Sequence, residues 1–217
     1  MAHGGGGRHD GDAGGGGGPA GGGYTIVDLA AGGGDATEQA ARLLVEGFRE
    51  HWPDAWPDIA AAREEVAEAL ADGGRIARIA VAGGTVLGWV GGMPMYDGRV
   101  WELHPLVVHV DHRGRGIGRA LVADLEARVR ERGGLTVYLG TDDEAGMTSL
   151  AGVDLYPAVW DHLRGIQNLR RHPFTFYQKM GYTIVGVVPD ANGFGKPDIM
   201  MAKRVGGAAA GEDGPSR

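Results

Sequence analysis

Residues 101–119 read WELHPLVVHVDHRGRGIGR. An apolar run carrying one carboxylate, Glu102, leads straight into the turn Arg113-Gly114-Arg115-Gly116-Ile117-Gly118, after which an amphipathic helix begins. Glycines at a strand-to-helix turn let backbone N–H groups close on a phosphate, and the helix N-terminus adds partial positive charge. Pro105 lies inside the strand and removes a ladder donor, which predicts a bulge or an edge there.

Outward from this stretch, the pattern alternates strands with helices. Tyr24 to Ala30 reads as an opening strand. Asp35-Ala-Thr-Glu38 reads as a capping box for a helix reaching about His51, with Ala40, Leu43, Leu44 and Phe48 on one face. An aromatic loop, His51 to Trp56, precedes a second helix over about 57–71 that Gly73-Gly74 ends. Residues 76–82 and 85–94 read as a hairpin around Gly83-Gly84, followed by the strand of about 100–110. The helix from Gly116 to about Gly133 carries Ile117, Leu121, Leu125 and Val129 on one stripe. A strand over 135–139, an acidic loop, a helical region, a helix around 173–180 and strands over about 182–188 and 198–203 complete the chain. This order gives an α/β architecture on a single sheet of mixed direction.

The chain has 217 residues, a formal net charge of −7 and no cysteine. That length suggests one domain. Residues 1–23 are dominated by glycine and residues 206–217 are small and polar, so both are expected to be flexible tails around a domain at 24–205. Without cysteine, disulfides, thiolate metal sites and a cysteine nucleophile are excluded. The eight histidines include no His-x-x-x-His pair with a nearby third ligand, and no metal is expected. The acidic balance argues against nucleic acid and mildly favours a cationic partner. No signal-type apolar region or membrane span is read, so a cytoplasmic location is the default.

A glycine turn alone serves a nucleotide or a tight corner equally well. The pattern Arg113-x-x-Gly116-x-Gly118 resembles the acyl-CoA pyrophosphate loop of the GNAT acetyltransferase superfamily. WELHPLVV, YLGTDDE, GIQNLRRHPFTFYQKMGY and VPDANGFGKPDIMMAK further resemble aminoglycoside 6′-N-acetyltransferases over nearly all of 24–205. The resemblance implies a GNAT-like mixed central sheet, splayed at a bulged strand and flanked by helices. It implies acetyl-CoA as co-substrate, an aminoglycoside as the cationic acceptor, a resistance role and a homodimer.

It also assigns residues. The backbone of Leu106, Val107 and Val108 would hold the pantetheine arm, and the N–H groups from Arg113 through Gly114, Arg115, Gly116, Ile117 and Gly118 to Arg119 the pyrophosphate. The Leu106 amide would polarise the thioester carbonyl, an oxyanion-hole arrangement. Glu102 would accept the ammonium proton, directly or through water. Tyr177 would give a proton or a hydrogen bond to the leaving thiolate, and Asn168 would contact the cofactor arm. Asp142, Asp143 and Asp198 would meet the acceptor's ammonium groups, with Trp52 and Tyr96 walling the sugar site and His104 orienting Glu102 or touching substrate.

Plain alternatives stand beside several of these: an ion-paired strand carboxylate for Glu102, a core histidine for His104, interior packing for Trp52, a strand cap for Asp198. Lack of cysteine favours direct transfer in a ternary complex over an acetyl-enzyme. The competing readings are an acetyltransferase for another amine, such as a polyamine or a protein N-terminus, and a non-catalytic acyl-CoA or aminoglycoside-binding module.

Overall fold

The computed structural model describes residues 23–207; the predicted leader up to residue 22 and the tail from 208 lie outside it. Seven strands form one sheet: β1 (Thr25–Asp28), β2 (Ile76–Ala82), β3 (Thr85–Met95), β4 (Val100–Val108), β5 (Thr136–Asp142), β6 (Thr183–Val188) and β7 (Asp198–Arg204). Their order is β1-β2-β3-β4-β5-β7-β6. All neighbours are antiparallel except β4 and β5, which run parallel. The expected mixed sheet is therefore present.

Five α-helices flank it: α1 (Gly33–Phe48), α2 (Ile59–Ala71), α3 (Ile117–Glu131), α4 (Val159–Arg164) and α5 (Phe174–Lys179). The periodic stripes do what their spacing predicts. Ile117, Leu121, Leu125 and Val129 of α3 are buried beneath one face of the sheet, with Trp101, Leu103, Val137 and Leu139. Ala40, Leu43 and Leu44 of α1 pack with Ala62 and Val66 of α2 on Ile79, Trp89 and Val107.

The capping box is not formed. A 3-10 turn at Leu29–Gly32 feeds α1 three residues earlier than the capping box implies, with Gly32 at the N-cap position. Asp35 then lies in the first helical turn, where a carboxylate opposes the positive end of the helix dipole, and accepts from Gln39 Nε2. Glu38 instead holds Arg42 and Arg63. The α2 cap does form: the Asp58 side chain accepts from Ala61 N at 2.9 Å.

The irregularity predicted at Pro105 is a register shift between β3 and β4. Val90 pairs with Leu106 and Gly92 with Leu103, leaving Gly91 opposite His104 and Pro105. Only glycine fits there, because a Cβ on residue 91 would lie 2.2 Å from His104 O. Before the shift Trp101 and Leu103 join the α3 core; after it Val107 joins the α1–α2 core. The strand thus exchanges faces within its own length. On its other side, β4 pairs with β5 only from Val100–Thr136 to Glu102–Tyr138. Beyond that last pair the two strands part, and the sheet opens into a wedge.

Candidate active site

Three groups of residues converge on the wedge: the turn after β4, the open face of β4, β5 and β7, and the short helix α5.

The turn presents a row of backbone N–H groups at the start of α3. Gly114 and Gly116 adopt left-handed φ values of 76° and 84°. No side chain caps α3, and its first turn carries no acid. The first bond of helical type is Ala120 N to Gly116 O at 3.0 Å. Among the described residues, the N–H groups of 114–119 find no backbone or side-chain acceptor, so they remain available to a phosphate. Arg113 departs from its expected role. Its N–H donates to Val110 O, and its guanidinium donates to Val108 O at 3.3 Å and Gly47 O at 3.1 Å. It fastens the loop to the end of α1, and the cradle begins at Gly114. Past Glu102, β4 continues through Leu106, Val107 and Val108 with no strand beside it on the β5 side. That leaves an edge of extended backbone unpaired on the β5 side.

The open face carries the acids. Because side chains alternate along a strand, Tyr138, Gly140 and Asp142 share one face of β5. Their register partners are Glu102 on β4 and Met200 and Asp198 on β7. Glu102, Asp142 and Asp198 thus face the same way, and none has an ion-pair partner among the described residues. Burial first, then the neighbouring Asp142 and Glu102 charges, push Asp198 up to about 6, against a bond from the Thr141 backbone that pulls it down. Asp198 Oδ1 is buried with no partner. Its other oxygen lies over Gly140, where a Cβ would come within 2.3 Å of it. Gly140 is the opening that lets Asp198 lean onto β5.

Tyr138 was not singled out in the sequence, yet it stands beside Glu102 at the last β4–β5 pair. Burial, then the Glu102 charge and a hydrogen bond to it, raise its phenol above the ordinary value, with smaller contributions from Asp198 and Tyr96. Tyr96 reaches this group from a tight turn in which Tyr96, Asp97 and Gly98 are all left-handed, and it is 73% exposed. His104 is exposed on the Glu102 side of β4, and its ring centroid lies 5.6 Å from that of Trp56. Trp56, not Trp52, is therefore the aromatic of the α1–α2 loop that meets the strand. Trp52 stacks instead on Phe48 at 5.9 Å and His51 at 5.5 Å, half-buried at the end of α1.

Two expected contacts are corrected. Asp143 is fully buried, and its oxygens accept from Met147 N at 2.6 Å and Thr148 N at 2.7 Å. It clasps the loop after β5 and, with no exposed surface, cannot reach an acceptor molecule. Asn168 is likewise spent: Oδ1 accepts from His172 N, while Nδ2 donates to His172 O and Thr175 Oγ1. Its amide builds the entry to α5 rather than contacting a cofactor arm. Asp142 is half-buried, and its Oδ1 accepts from Asn192 Nδ2.

The entry to α5 also depends on His172, which is fully buried. Nδ1 accepts from Phe174 N at 3.3 Å, so Nε2 carries the proton and donates to Asp142 O at 3.0 Å. This one ring ties the acidic end of β5 to the helix that carries Tyr177. Burial lowers its pKa and keeps it neutral. Tyr177 is buried, and desolvation alone pushes its phenol well above the ordinary range. Its neighbour Phe176 lies about a van der Waals distance from Gly118, where a Cβ would sit 3.7 Å from the ring. Helix α5 therefore abuts the glycine turn directly. A separate hollow of about 470 Å³ along Tyr156–Arg164 contains none of these residues.

Residues 37–151 match the model of the acetyltransferase (GNAT) family. A crystal structure of an aminoglycoside 6′-N-acetyltransferase complexed with coenzyme A is 43% identical, with a TM-score of 0.76, covering 83% of this chain and 97% of that one. The aminoglycoside 6′-N-acetyltransferase from Enterococcus faecium is also 43% identical over the same shares, with a TM-score of 0.75. An aminoglycoside 6′-acetyltransferase of type Ii is 37% identical over 83% of this chain and 97% of its own, with a TM-score of 0.62. A comparison with curated protein sequences gave no match. No helix of the described residues is long and apolar enough to cross a membrane. With its wedge, its uncapped glycine turn and these relatives, the chain is a member of the GNAT family of acetyltransferases, an enzyme that takes acetyl-CoA as co-substrate.

Proposed function

We propose that this enzyme acetylates the 6′-amino group of aminoglycosides by direct attack in a ternary complex. One observation carries the reading. Glu102, Asp142 and Asp198 converge on an open face without a protein cation, and Asp198 is held up at about 6 by burial and by its like-charged neighbours. Such an arrangement is poorly satisfied by itself and well satisfied by a ligand bearing several ammonium groups. The similarity to aminoglycoside acetyltransferases at 43% identity supports the same acceptor.

The roles follow from position. The N–H groups of 114–119 hold the pyrophosphate, and the free edge of β4 at Leu106 to Val108 aligns the pantetheine amides. The Leu106 N–H faces the thioester oxygen and stabilises the charge that develops there. Glu102 takes a proton from the acceptor's ammonium, and Tyr138 and His104 fix its direction. The amine nitrogen then bonds to the acetyl carbon as the carbon–sulfur bond breaks, and the electron pair leaves with sulfur. Tyr177 faces that sulfur. Its phenol is raised far above a thiol's ordinary pKa of about 8.5, so complete proton transfer from it is uphill. It acts as a neutral hydrogen-bond donor to the thiolate; the acylated nitrogen sheds its second proton to solvent, and the thiolate takes one from solvent.

The same reading makes the enzyme a cytoplasmic resistance factor. It also makes the enzyme a homodimer, supported by an edge strand that leaves Val185 and Val188 53% and 47% exposed. Thiol release from acetyl-CoA, compared among an aminoglycoside, spermidine and a basic peptide, tests the acceptor class. Turnover confined to the aminoglycoside supports the proposal. Preference for spermidine or the peptide replaces it with another amine, and tight binding without turnover makes the protein a binding module.

A further inference from the structure

Behind Tyr177 lies a polar trio, two of its members buried and Lys203 half-buried, that neither the cradle nor the acidic face uses. Glu126 of α3 is 6% exposed and accepts from Lys203 Nζ of β7 at 2.6 Å. The Lys203 ammonium lies 5.6 Å from the ring centroid of Tyr182, itself 3% exposed. The remaining carboxylate oxygen, Glu126 Oε1, and the Tyr182 hydroxyl are both buried and unpartnered. Burial, then the charge and proximity of Glu126, push the Tyr182 phenol far up, so it stays neutral beside that carboxylate.

Tyr182 in turn touches Tyr177. Their rings meet edge to face at 5.6 Å and 68°. The chain folds back between them at Gly181, whose φ is 89°, and Tyr182 N donates to Tyr177 O at 3.0 Å. Helix α5 spans only Phe174–Lys179, too short to hold its own direction. A buried ion pair is a weak source of stability, since apolar residues of equal volume commonly serve as well. What it supplies here is direction. It joins α3, whose first turn forms the phosphate cradle, to the segment that carries Tyr177.

We propose that Tyr182, clamped by the Glu126–Lys203 pair, is a positioning residue that fixes the Tyr177 phenol at a set distance from the phosphate cradle. The inference rests on the role proposed above for Tyr177.

Tyr182→Phe keeps the ring contact with Tyr177 and removes the hydroxyl that lies beside Glu126. Misplacement of a reacting group by an ångström is worth up to about 100-fold. A partial release of Tyr177 should therefore lower kcat on the order of tenfold, with KM for acetyl-CoA and the Kd for coenzyme A unchanged. In the Tyr177→Phe background, Tyr182→Phe should add nothing. Glu126→Gln, which keeps the ring and the hydroxyl of Tyr182, should reproduce the kcat loss if the Phe variant folds poorly. In substrate-free protein labelled with 3-fluorotyrosine, either variant should shift or broaden the Tyr177 fluorine signal.

Wild-type kcat in both variants, equal losses in the presence and absence of the Tyr177 hydroxyl, or an unmoved Tyr177 signal would each overturn the inference. Tyr177→Phe read alone separates the two claims. If it turns over normally, the role of Tyr177 falls. If it is slow while Tyr182→Phe and Glu126→Gln are normal, only the positioning claim falls.

Discussion

Asp198→Asn tests the acidic face by its cost to the fold. The native environment raises Asp198 from 3.8 to about 6, so the folded protein resists its ionisation. A raised carboxylate contributes stability below pH 3.8, and that contribution is lost as the pH climbs through about 6. At about 1.36 kcal/mol per unit, the full shift amounts to roughly 3 kcal/mol. Asp198 is only partly buried, and solvent screening halves this to about 1.5 kcal/mol. Between pH 4.5 and 7.5 about two-thirds of the effect, near 1 kcal/mol, is traversed. For a chain of this size that corresponds to about 2–4 °C in Tm.

The asparagine variant lacks the titration, so its Tm relative to wild type should rise by about that amount from pH 4.5 to pH 7.5. The pH-dependent loss from His172 occurs in both proteins and cancels in the difference. Differential scanning fluorimetry at the two pH values in matched salt measures it. A difference that is flat with pH, or that falls, would refute the claim that burial and like charge raise Asp198.

Other expectations are simpler to test. Glu102→Gln should lower kcat by about 100-fold, the low end for a lost general base, and most steeply at low pH, where the ammonium gives up its proton least readily. A pH–rate profile of unchanged shape would assign the proton to solvent or another base. Gly116→Ala forces a side chain into a left-handed position at a strain of about 1 kcal/mol. KM for acetyl-CoA should rise about fivefold with kcat little changed; a loss of kcat alone would show that the cradle does not bind the phosphates. His172 is kept neutral by burial, so wild-type stability should fall as the pH drops below the unfolded value of about 6.5. His172→Gln should flatten that acid slope in a Tm titration, and an unchanged slope would place the titration elsewhere.

What the sequence made legible was local chemistry: a glycine turn entering a 3.6-period stripe, and a proline inside a strand that proved to face Gly91 at a register shift. The misreadings share one cause. Asp35-Ala-Thr-Glu38 satisfies the capping pattern, but burial of Leu29 pulls a 3-10 turn up to Gly32 and starts the helix earlier. Asp143 and Asn168 carry side chains suited to a ligand, and both serve backbone groups a few residues away. Tyr138, Trp56 and His172 were overlooked for the converse reason. Each acts through a partner distant in the chain: Tyr138 through its pairing with Glu102, Trp56 through the ring of His104, and His172 through the carbonyl of Asp142. Strand register and loop closure make those partnerships, and neither is written in residue spacing.

The central claim is the acceptor and the position modified on it. The most direct test is acetyl-CoA turnover on matched aminoglycosides bearing either an amine or a hydroxyl at the 6′ carbon, with the product's acetyl group located by NMR. The account predicts acetylation of the 6′-amine and no reaction with the 6′-hydroxyl drug. Equal turnover of both, or an acetyl group on a different nitrogen, would contradict it.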